Sequence, residues 1–519
     1  MPLEKTSLSL YRLRTGAAAQ VEAELFSDGL PLIDGLDGKF VVLPSHQDIP
    51  RWFRVVRSYV SGADALSVLS QSAAALILVR HSSAVYVISF GYAWQKLELK
   101  WLELDFGRRV VLNSVPRSKI LEVSSQQIFA KKHLARERAP RASDVAEFGL
   151  EHDRDLVAAL EGEPSEQVFG GTIRGSISLR LSIYFPALPE MLDRAAFHFK
   201  SDSYKKHWPE IDNIVPISDD ALIAQLDDLI DADIRSGKAR EDAVLFTPAF
   251  LRGDVASADS CAIGSHAAGL ARSPYLLYSS WESLLKKKKK EPSLAEAKAT
   301  PVHLFDVTGE RIERRSVYEC LTYELAHERK QYVLSSGIWH DADADFVKKV
   351  DTFLRTIKPS PVKLPAWNQT DSEGVYNLGC CNSGEMLHFD ARNVPFGGGQ
   401  SKFEFCDFMH PTEKILFFVK VASKSSGVSH LVEQVRRTDE LLFGQDNRFR
   451  AKLKMVFEKH HPRAKRNWLD QKPSRSEWKL CLVSMGRDKL DLPFFAKCGV
   501  RRLVRHLQEL GHSIFFSAV

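Results

Sequence analysis

Three carboxylates and a lysine in the last third of the chain have the residue types of a divalent-metal centre, with a glutamine on the segment that follows. Glu404 and Asp407 lie in KFEFCDFM, Lys420 in ILFFVKV and Gln434 in HLVEQVRRTDELL, and Glu373 precedes them all in SEGVYN. Mg²⁺ and Mn²⁺ prefer hard oxygen ligands, and a nearby cation can stabilise the charge that develops when a phosphodiester is attacked. Asp407 is therefore an expected metal ligand, with Glu404 or Glu373 as a second, and Lys420 the expected catalytic cation. Asp390, in MLHFDARNVPFGGG, fits the place of Glu373 by order alone. A plainer reading makes Asp407 and Lys420 a cross-strand ion pair, which is common and contributes little at a surface. Alternation puts Cys406 opposite Asp407 and into the core, which argues against a nucleophile there. His430 reads as a residue near a helix N-terminus.

These side chains need a particular set of elements to position them. KFEFCDFM alternates apolar and polar residues as a half-buried strand does, ILFFVKV is an apolar run of strand length, and HPTEK between them reads as a hairpin turn. SKSSG follows as a polar loop, and HLVEQVRRTDELL as an amphipathic helix. EWKLCLVSMG, GVRRLVRHLQELG and HSIFFSAV then read as strand, helix, strand. Two carboxylates, a lysine on the next strand and a following helix with Gln434 resemble the metal-binding half of restriction-endonuclease-like, PD-(D/E)XK, nucleases. The resemblance implies a mixed sheet flanked by helices, with Asp407, Lys420, Glu404, Glu373 and Gln434 as catalytic residues. It departs at Phe418, where those nucleases carry an acid two residues before the lysine. Either Glu404 or Glu373 takes that role, or the domain binds DNA without cutting it.

The segment after the candidate site is basic. From Arg448 to Lys472 there are nine Lys/Arg against two acids, with Phe449, Phe457 and Trp468 interspersed. Neutralising several phosphates dominates nucleic-acid affinity. Arg448, Arg450, Lys452, Lys454, Lys459, Arg463, Lys465 and Arg466 are the expected phosphate contacts; a solvated helix face is the competing reading.

At 519 residues the chain should hold two to four domains. The expected organisation is a mixed α+β and α/β one: an N-terminal α/β domain (1–135), a middle helical or α+β domain (143–285), a Lys-rich loop (286–300) and the C-terminal domain (301–519). WLELDFGRRVVLNSV has strand character, SDVAEFGLEHDRDLVAALEG and SVYECLTYELAHERK have helical character, and the basic stretch 117–141 reads as a charged linker or a nucleic-acid arm. In the helix DDALIAQLDDLIDADIRSG, the residues Leu222, Leu226, Leu229 and Ile230 form the core face, with the aspartates solvated. Gly91 is expected to permit a bend. The acids of HDADAD are expected to start a helix, since an EF-hand loop counted from Asp341 lacks its glycine and closing glutamate. Gly397–Gly399 lacks the Lys-Ser/Thr of a phosphate-binding loop.

Net charge is only +5 (71 basic against 66 acidic), so any nucleic-acid surface must come from local distribution. No apolar run approaches the ~20 residues needed to cross a bilayer, and no secretion signal is visible. The seven cysteines are sparse and form no CxxC pair, as expected of reduced thiols in a cytoplasmic protein. Several phrases, among them IPRWFRVVRSYV, VYVISFGYAWQKLE, LDFGRRVVLNSV, YKKHWPEIDNI and YVLSSGIWHDADADFVKKV, resemble in order a sporadically distributed bacterial family of uncharacterised proteins from mobile-element and phage-defence neighbourhoods. That context implies action on foreign DNA, with RNA as a second candidate polymer. Defence-system proteins or a second copy of the chain are the expected protein partners, and no membrane is involved. The two functions to be weighed are a Mg²⁺- or Mn²⁺-dependent nuclease and a non-catalytic DNA-binding or sensing subunit with a degenerate nuclease-like fold.

Overall fold

The computed structural model describes residues 4–519 except 34, 50–52, 54–55, 60, 62–66, 69, 128–133, 149–154, 209–210, 246–257, 266–271, 308, 310, 397–401 and 423–424. The Gly397–Gly399 turn lies outside the described residues. Two units are present, each with its own core. The first holds Met1–Gln127, Lys132–Leu325 and Tyr332–Asp341; the second is built on Ala342–Val519.

The first unit begins with an antiparallel sheet of ten strands: β1 (Lys5–Arg12), β2 (Leu30–Pro31), β3 (Asp37–Asp48), β4 (Ser70–His81), β5 (Ala84–Phe90), β6 (Ile120–Gln127), β7 (Leu134–Ser143), β8 (Asp155–Gly162), β9 (Ile173–Gly175) and β10 (Leu179–Tyr184). Their order is β2-β3-β4-β5-β1-β10-β9-β8-β6-β7. Period-two alternation turns Leu8, Leu10, Ile88, Leu179 and Leu181 to one face. There they pack with Phe106, Val110 and Val111 of α1 (Phe106–Ser114) and Met191, Leu192 and Ala195 of α2 (Leu188–Lys200). Helix α1 crosses the sheet at backbone distance. A Cβ on Gly107 would lie 2.0 Å from the Ser178 carbonyl oxygen, and one on Gly175 would lie 2.1 Å from that of Gly107, so only glycine fits at either position.

Several sequence expectations are corrected here. GRRVVLNS is helical, although its paired valines favour strand, because α1 is buried against the sheet. DLVAALEG is strand β8, pinned between β6 and β9. The basic stretch 117–141 supplies β6 and β7, with only residues 128–133 between them undescribed.

The same unit continues with β11 (Ile214–Pro216), α3 (Asp220–Arg235), β12 (Val244–Leu245), β13 (Ser260–Ile263), β14 (Pro301–Phe305), β15 (Arg311–Ser316), β16 (Leu321–His327), β17 (Lys330–Ser335) and β18 (Ile338–Ala342). They form a five-stranded sheet, β11-β18-β17-β16-β12, and a three-stranded one, β13-β14-β15. SVYECLTYELAHERK is thus one helical turn followed by a strand, because LTYELAH is buried as part of a sheet. On α3 the buried stripe is Leu226, Ile230 and Ile234, while Leu229 is exposed. Asp227 leaves the solvated face and accepts hydrogen bonds from Trp339 Nε1 and the Tyr318 hydroxyl, both at 2.9 Å.

The second unit starts with α4 (Ala344–Thr356), capped by Asp343, whose side chain accepts the Phe346 amide at 2.9 Å. After α5 (Glu373–Cys380) come β19 (Leu387–His388), β20 (Asn393–Pro395), β21 (Lys402–Glu404), β22 (Phe408–His410) and β23 (Ile415–Val421). Then follow α6 (Ser425–Leu442), α7 (Arg448–His460), β24 (Lys479–Met485), α8 (Phe494–Glu509) and β25 (Ser513–Ala518). The main sheet is ordered β19-β22-β23-β24-β25. β22 is antiparallel to both its neighbours, whereas β23, β24 and β25 run parallel. Ile415–Val419 are all buried, as expected for a strand with both faces covered. Tyr376 and Cys380 of α5 pack on Phe417 and Val419, and α6 packs against the same strand.

Two expectations change in this unit. KFEFCDFM is not one strand. Residues 402–404 pair with β20 in a separate two-stranded sheet, and the chain bends at Phe405–Asp407 before β22. Helix α6 begins at Ser425, inside the expected SKSSG loop. Among the described residues no helix is long and apolar enough to cross a membrane.

Candidate metal centre

The site is assembled where the β22–β23 hairpin meets the start of α5 and the bend before β22. Asp407 stands at that bend. Its amide donates to the Phe417 carbonyl at 3.0 Å, and its own carbonyl accepts the amides of Phe389 and Asp390 at 2.7 and 2.8 Å. The side chain is buried, with Oδ2 accepting the Val419 amide at 2.8 Å.

Three carboxylates converge there. One oxygen each from Asp390, Glu404 and Asp407 lies within 4.8 Å of the others. Glu404 arrives from the two-stranded sheet, which packs on α7 through Phe403 and Phe449, ring centres 5.6 Å apart. Its Oε1 accepts the Ala391 amide at 2.8 Å. Asn377, fully buried on α5, points its amide nitrogen at Asp390 Oδ2 (3.1 Å) and Asp407 Oδ1 (3.4 Å). One turn earlier on that helix, Glu373 Oε1 lies 2.6 Å from Lys420 Nζ. Ser372 caps the helix through the Val375 amide, so Glu373 sits at the positive end of the helix dipole.

The electrostatics are those of a site short of positive charge. Burial pushes the Asp407 carboxyl well above its ordinary range, and the charges of Glu404, Glu373 and Asp390 push it further. Glu404 is raised by burial and then by Asp390, with which it shares a hydrogen bond. Burial works to lower the Lys420 ammonium, but Glu373, Asp407 and Glu404 outweigh it and hold its pKa above the usual lysine value. The donor set suits a hard divalent cation, which would relieve the repulsion that now favours protonation. Asn377 Oδ1 and Gln434 Nε2 are buried and have no hydrogen-bond partner among the described residues.

Of the sequence candidates, Asp407 and Glu404 fall within the carboxylate cluster, and Glu373 falls beside it as the partner of Lys420. Asp390, suggested only by order, takes the third place in the cluster. Position 418 holds a fully buried phenylalanine. Gln434 lies on α6 one turn before Thr438, whose hydroxyl donates to the Phe405 carbonyl at 2.7 Å, between Glu404 and Asp407 in the chain. Asn377 stands out in the sequence beside Glu373 and Tyr376 but receives no role from it; its place one turn after Glu373 on a capped helix is the available signal.

The eight basic residues divide. Arg450 is turned inward, donating to the carbonyls of Gly444 and Leu442 at 2.8 and 3.2 Å, so it secures the end of α6 and is withdrawn from any phosphate. Arg448, Lys454 and Arg466 are paired with Asp446, Asp470 and Glu458. Lys452, Lys459, Arg463 and Lys465 are exposed.

Residues 8–519 match the model of DUF6119, described as a family of unknown function, and the chain belongs to that family. No curated protein and no solved structure matches it.

Proposed function

We propose that the second unit is a metal-dependent phosphodiesterase acting on DNA, a nuclease or nuclease-like effector that counters foreign genetic elements. The convergence of Asp390, Glu404 and Asp407 beside the Glu373–Lys420 pair carries this reading. The order of parts also supports a restriction-endonuclease-like core: a helix bearing an acid, an antiparallel ribbon with the aspartate at the bend that enters it and the lysine on its second strand, then helices alternating with parallel strands.

Asp390, Glu404 and Asp407 would hold Mg²⁺ or Mn²⁺. Such an ion supplies Lewis acidity at the phosphoryl oxygen and makes a water more acidic at neutral pH. Asn377 fixes two of the three carboxylates by donating to both. Lys420, kept charged by Glu373, serves as a fixed cation for the developing oxyanion and does not act as a base. The exposed cations around α7 would take phosphates of the duplex.

Purified protein incubated with linear, circular and single-stranded DNA, and with RNA, in Mg²⁺ or Mn²⁺ tests the reading. Cleavage should require the metal and disappear in Asp407→Ala and Lys420→Ala. Phe418, standing where an acid would be expected, favours a second reading: a DNA-binding subunit that does not cut. Salt-sensitive gel shifts without cleavage, unaffected by Asp407→Ala, would replace the first reading with the second.

A further inference from the structure

Asp390 reaches the carboxylate cluster from a tight turn, Phe389 to Arg392, that carries a cation at its far end. The Arg392 amide closes the turn by donating to the Phe389 carbonyl at 2.9 Å. Ala391 inside it has φ +57°, a left-handed conformation that a residue with a Cβ adopts at a cost. Two bonds hold this backbone in place: the Asp407 carbonyl accepts the Asp390 amide at 2.8 Å, and Glu404 Oε1 accepts the Ala391 amide at 2.8 Å. Strain that its surroundings over-determine in this way collects at functional sites. The turn gives Asp390 to the cluster and directs Arg392 to His461, just past the end of α7.

The charge of Arg392 is left uncompensated. The cluster is short of positive charge, yet this half-buried arginine, two residues from Asp390, has no carboxylate partner among the described residues. Its Nη1 lies 2.7 Å from His461 Nε2, and that same ring nitrogen lies 2.7 Å from the His388 carbonyl oxygen. A ring nitrogen bears either a proton or a lone pair. With a proton it serves the carbonyl and meets the guanidinium donor to donor. With a lone pair it serves the guanidinium and meets the carbonyl acceptor to acceptor. One nitrogen does not satisfy both, and a neutral lone pair does not balance a charge. His461 also opens a second turn, in which the Ala464 amide donates to the His461 carbonyl at 3.0 Å. That turn carries the exposed Arg463, and the exposed Lys459 precedes it on α7. Arg392 therefore joins the turn that bears a metal ligand to the turn that bears surface cations.

We propose that Arg392 binds a backbone phosphate of the DNA strand beside the one presented to Asp390, Glu404 and Asp407, and so sets the strand's position on the carboxylate cluster. The proposal rests on the reading that the second unit acts on DNA. A guanidinium offers a planar fork of donors to two phosphate oxygens, a stronger pairing than a neutral hydrogen bond. The phosphate supplies the anionic acceptor that His461 does not, and it leaves His461 Nε2 free to donate to the His388 carbonyl. Contacts of this kind fix where a strand lies and carry no base information. Because the three acids repel a phosphodiester backbone, a fixed positive charge on the turn that bears one of them holds the strand where the acids alone would not.

Fluorescence anisotropy of the full-length protein with a labelled DNA duplex, in EDTA and over a series of salt concentrations, tests the proposal. Arg392→Gln should weaken binding about tenfold at low salt and flatten the slope of log affinity against log salt by about 0.9, the loss of one phosphate contact. Arg392→Lys should restore the slope and only part of the affinity, since it keeps the charge and loses the fork. Mg²⁺ affinity by calorimetry and the melting temperature of Arg392→Gln should match the wild type. Arg392→Met, which keeps the apolar stem, takes its place if Arg392→Gln misfolds. An unchanged salt slope in the folded variant overturns the proposal. So does a parallel loss of Mg²⁺ affinity, or the misfolding of both variants, either of which makes Arg392 a brace for the Asp390 turn. Wild-type protein that binds no DNA overturns the proposal together with the reading it rests on. DNA binding that depends on Arg392 without any cleavage in Mg²⁺ removes the nuclease reading alone.

Discussion

The carbonyl of Asp407 accepts the amide of Asp390 at 2.8 Å, so two acids of the cluster are joined by main chain before any side chain is considered. The bracket continues the β19–β22 pairing by one residue, with the Phe389 and Asp390 amides both on this carbonyl, and so ties the segment after β19 to the bend at residues 405–407. It also means that the Asp407 side chain can be altered with the frame left in place.

Asp407→Asn should therefore separate metal binding from folding. The asparagine carbonyl can still accept the Val419 amide, while a carboxyl that burial and its acidic neighbours push toward protonation gives way to a neutral group of the same shape. Metal affinity by calorimetry should fall about 100-fold and cleavage should vanish. The metal-free melting temperature should hold or rise, because an uncompensated buried carboxylate is costly. A drop of several degrees would instead make Asp407 a structural residue.

The raised pKa values of Asp407 and Glu404 give the proposed metal binding a pH dependence of definite sign. Both folded carboxyls keep their protons at pH values where the unfolded chain, with carboxyl pKa near 4, has lost them. In that window the native state binds more protons, so metal-free stability should fall as pH rises from about 4 toward the raised folded values. A divalent cation competes with those protons, so its affinity and its stabilising effect should grow over the same window. Melting temperature measured against pH, with and without saturating Mg²⁺, checks both halves. Parallel curves would remove the carboxylates from the binding site.

Lys420 and Glu373 should show a different signature. Lys420→Met ought to abolish cleavage yet leave Mg²⁺ affinity within a few-fold, since the lysine is held by Glu373 and is not a ligand. Glu373→Gln keeps an acceptor for the Lys420 ammonium but loses its charge, and should lower kcat by about 10- to 100-fold with KM nearly unchanged. If Glu373→Gln instead matches Asp407→Asn in its weakened metal affinity, Glu373 is a ligand, as its position before the ribbon first suggested.

What could be read from the sequence follows from which signals are local. The β22–β23 hairpin and the parallel strand–helix–strand that closes the unit are local patterns, an apolar run with a turn and a helical stripe, and they form where expected. Glu404 was placed on the Asp407 strand because KFEFCDFM alternates. In the structure Phe405 and Cys406 are both fully buried, and consecutive inward residues mark a bend that a period-two pattern cannot express. DLVAALEG and FGRRVVLNS fail for a related reason: short apolar segments suit either state, and the strand neighbours of β8 and the glycine crossing of α1 decide between them. Asp390 and Asn377 belong to the cluster through a carbonyl bracket and a helix register, neither of which spacing along the chain reports. The pairing of β1 with β10 is legible only once the strand order is known, because the two strands come from opposite ends of the sheet-forming region.

The division among the basic residues yields the last prediction. Arg450 is consumed by carbonyls at the end of α6, so Arg450→Ala should destabilise the second unit by about 1–3 kcal/mol through unsatisfied buried groups. Its DNA affinity, measured on the folded fraction, should stay near wild type. Lys452, Lys459, Arg463 and Lys465 are exposed and should behave oppositely. Charge reversal of all four should leave melting unchanged, weaken DNA binding at low salt, and flatten the dependence of log affinity on log salt. The slope should fall by about 0.9 for each duplex phosphate that is no longer neutralised. Because phosphate contacts carry no base information, the weakening should be equal across DNA sequences. An unchanged salt slope in the quadruple reversal would return this surface to a solvated helix face and move the nucleic-acid contact elsewhere in the unit.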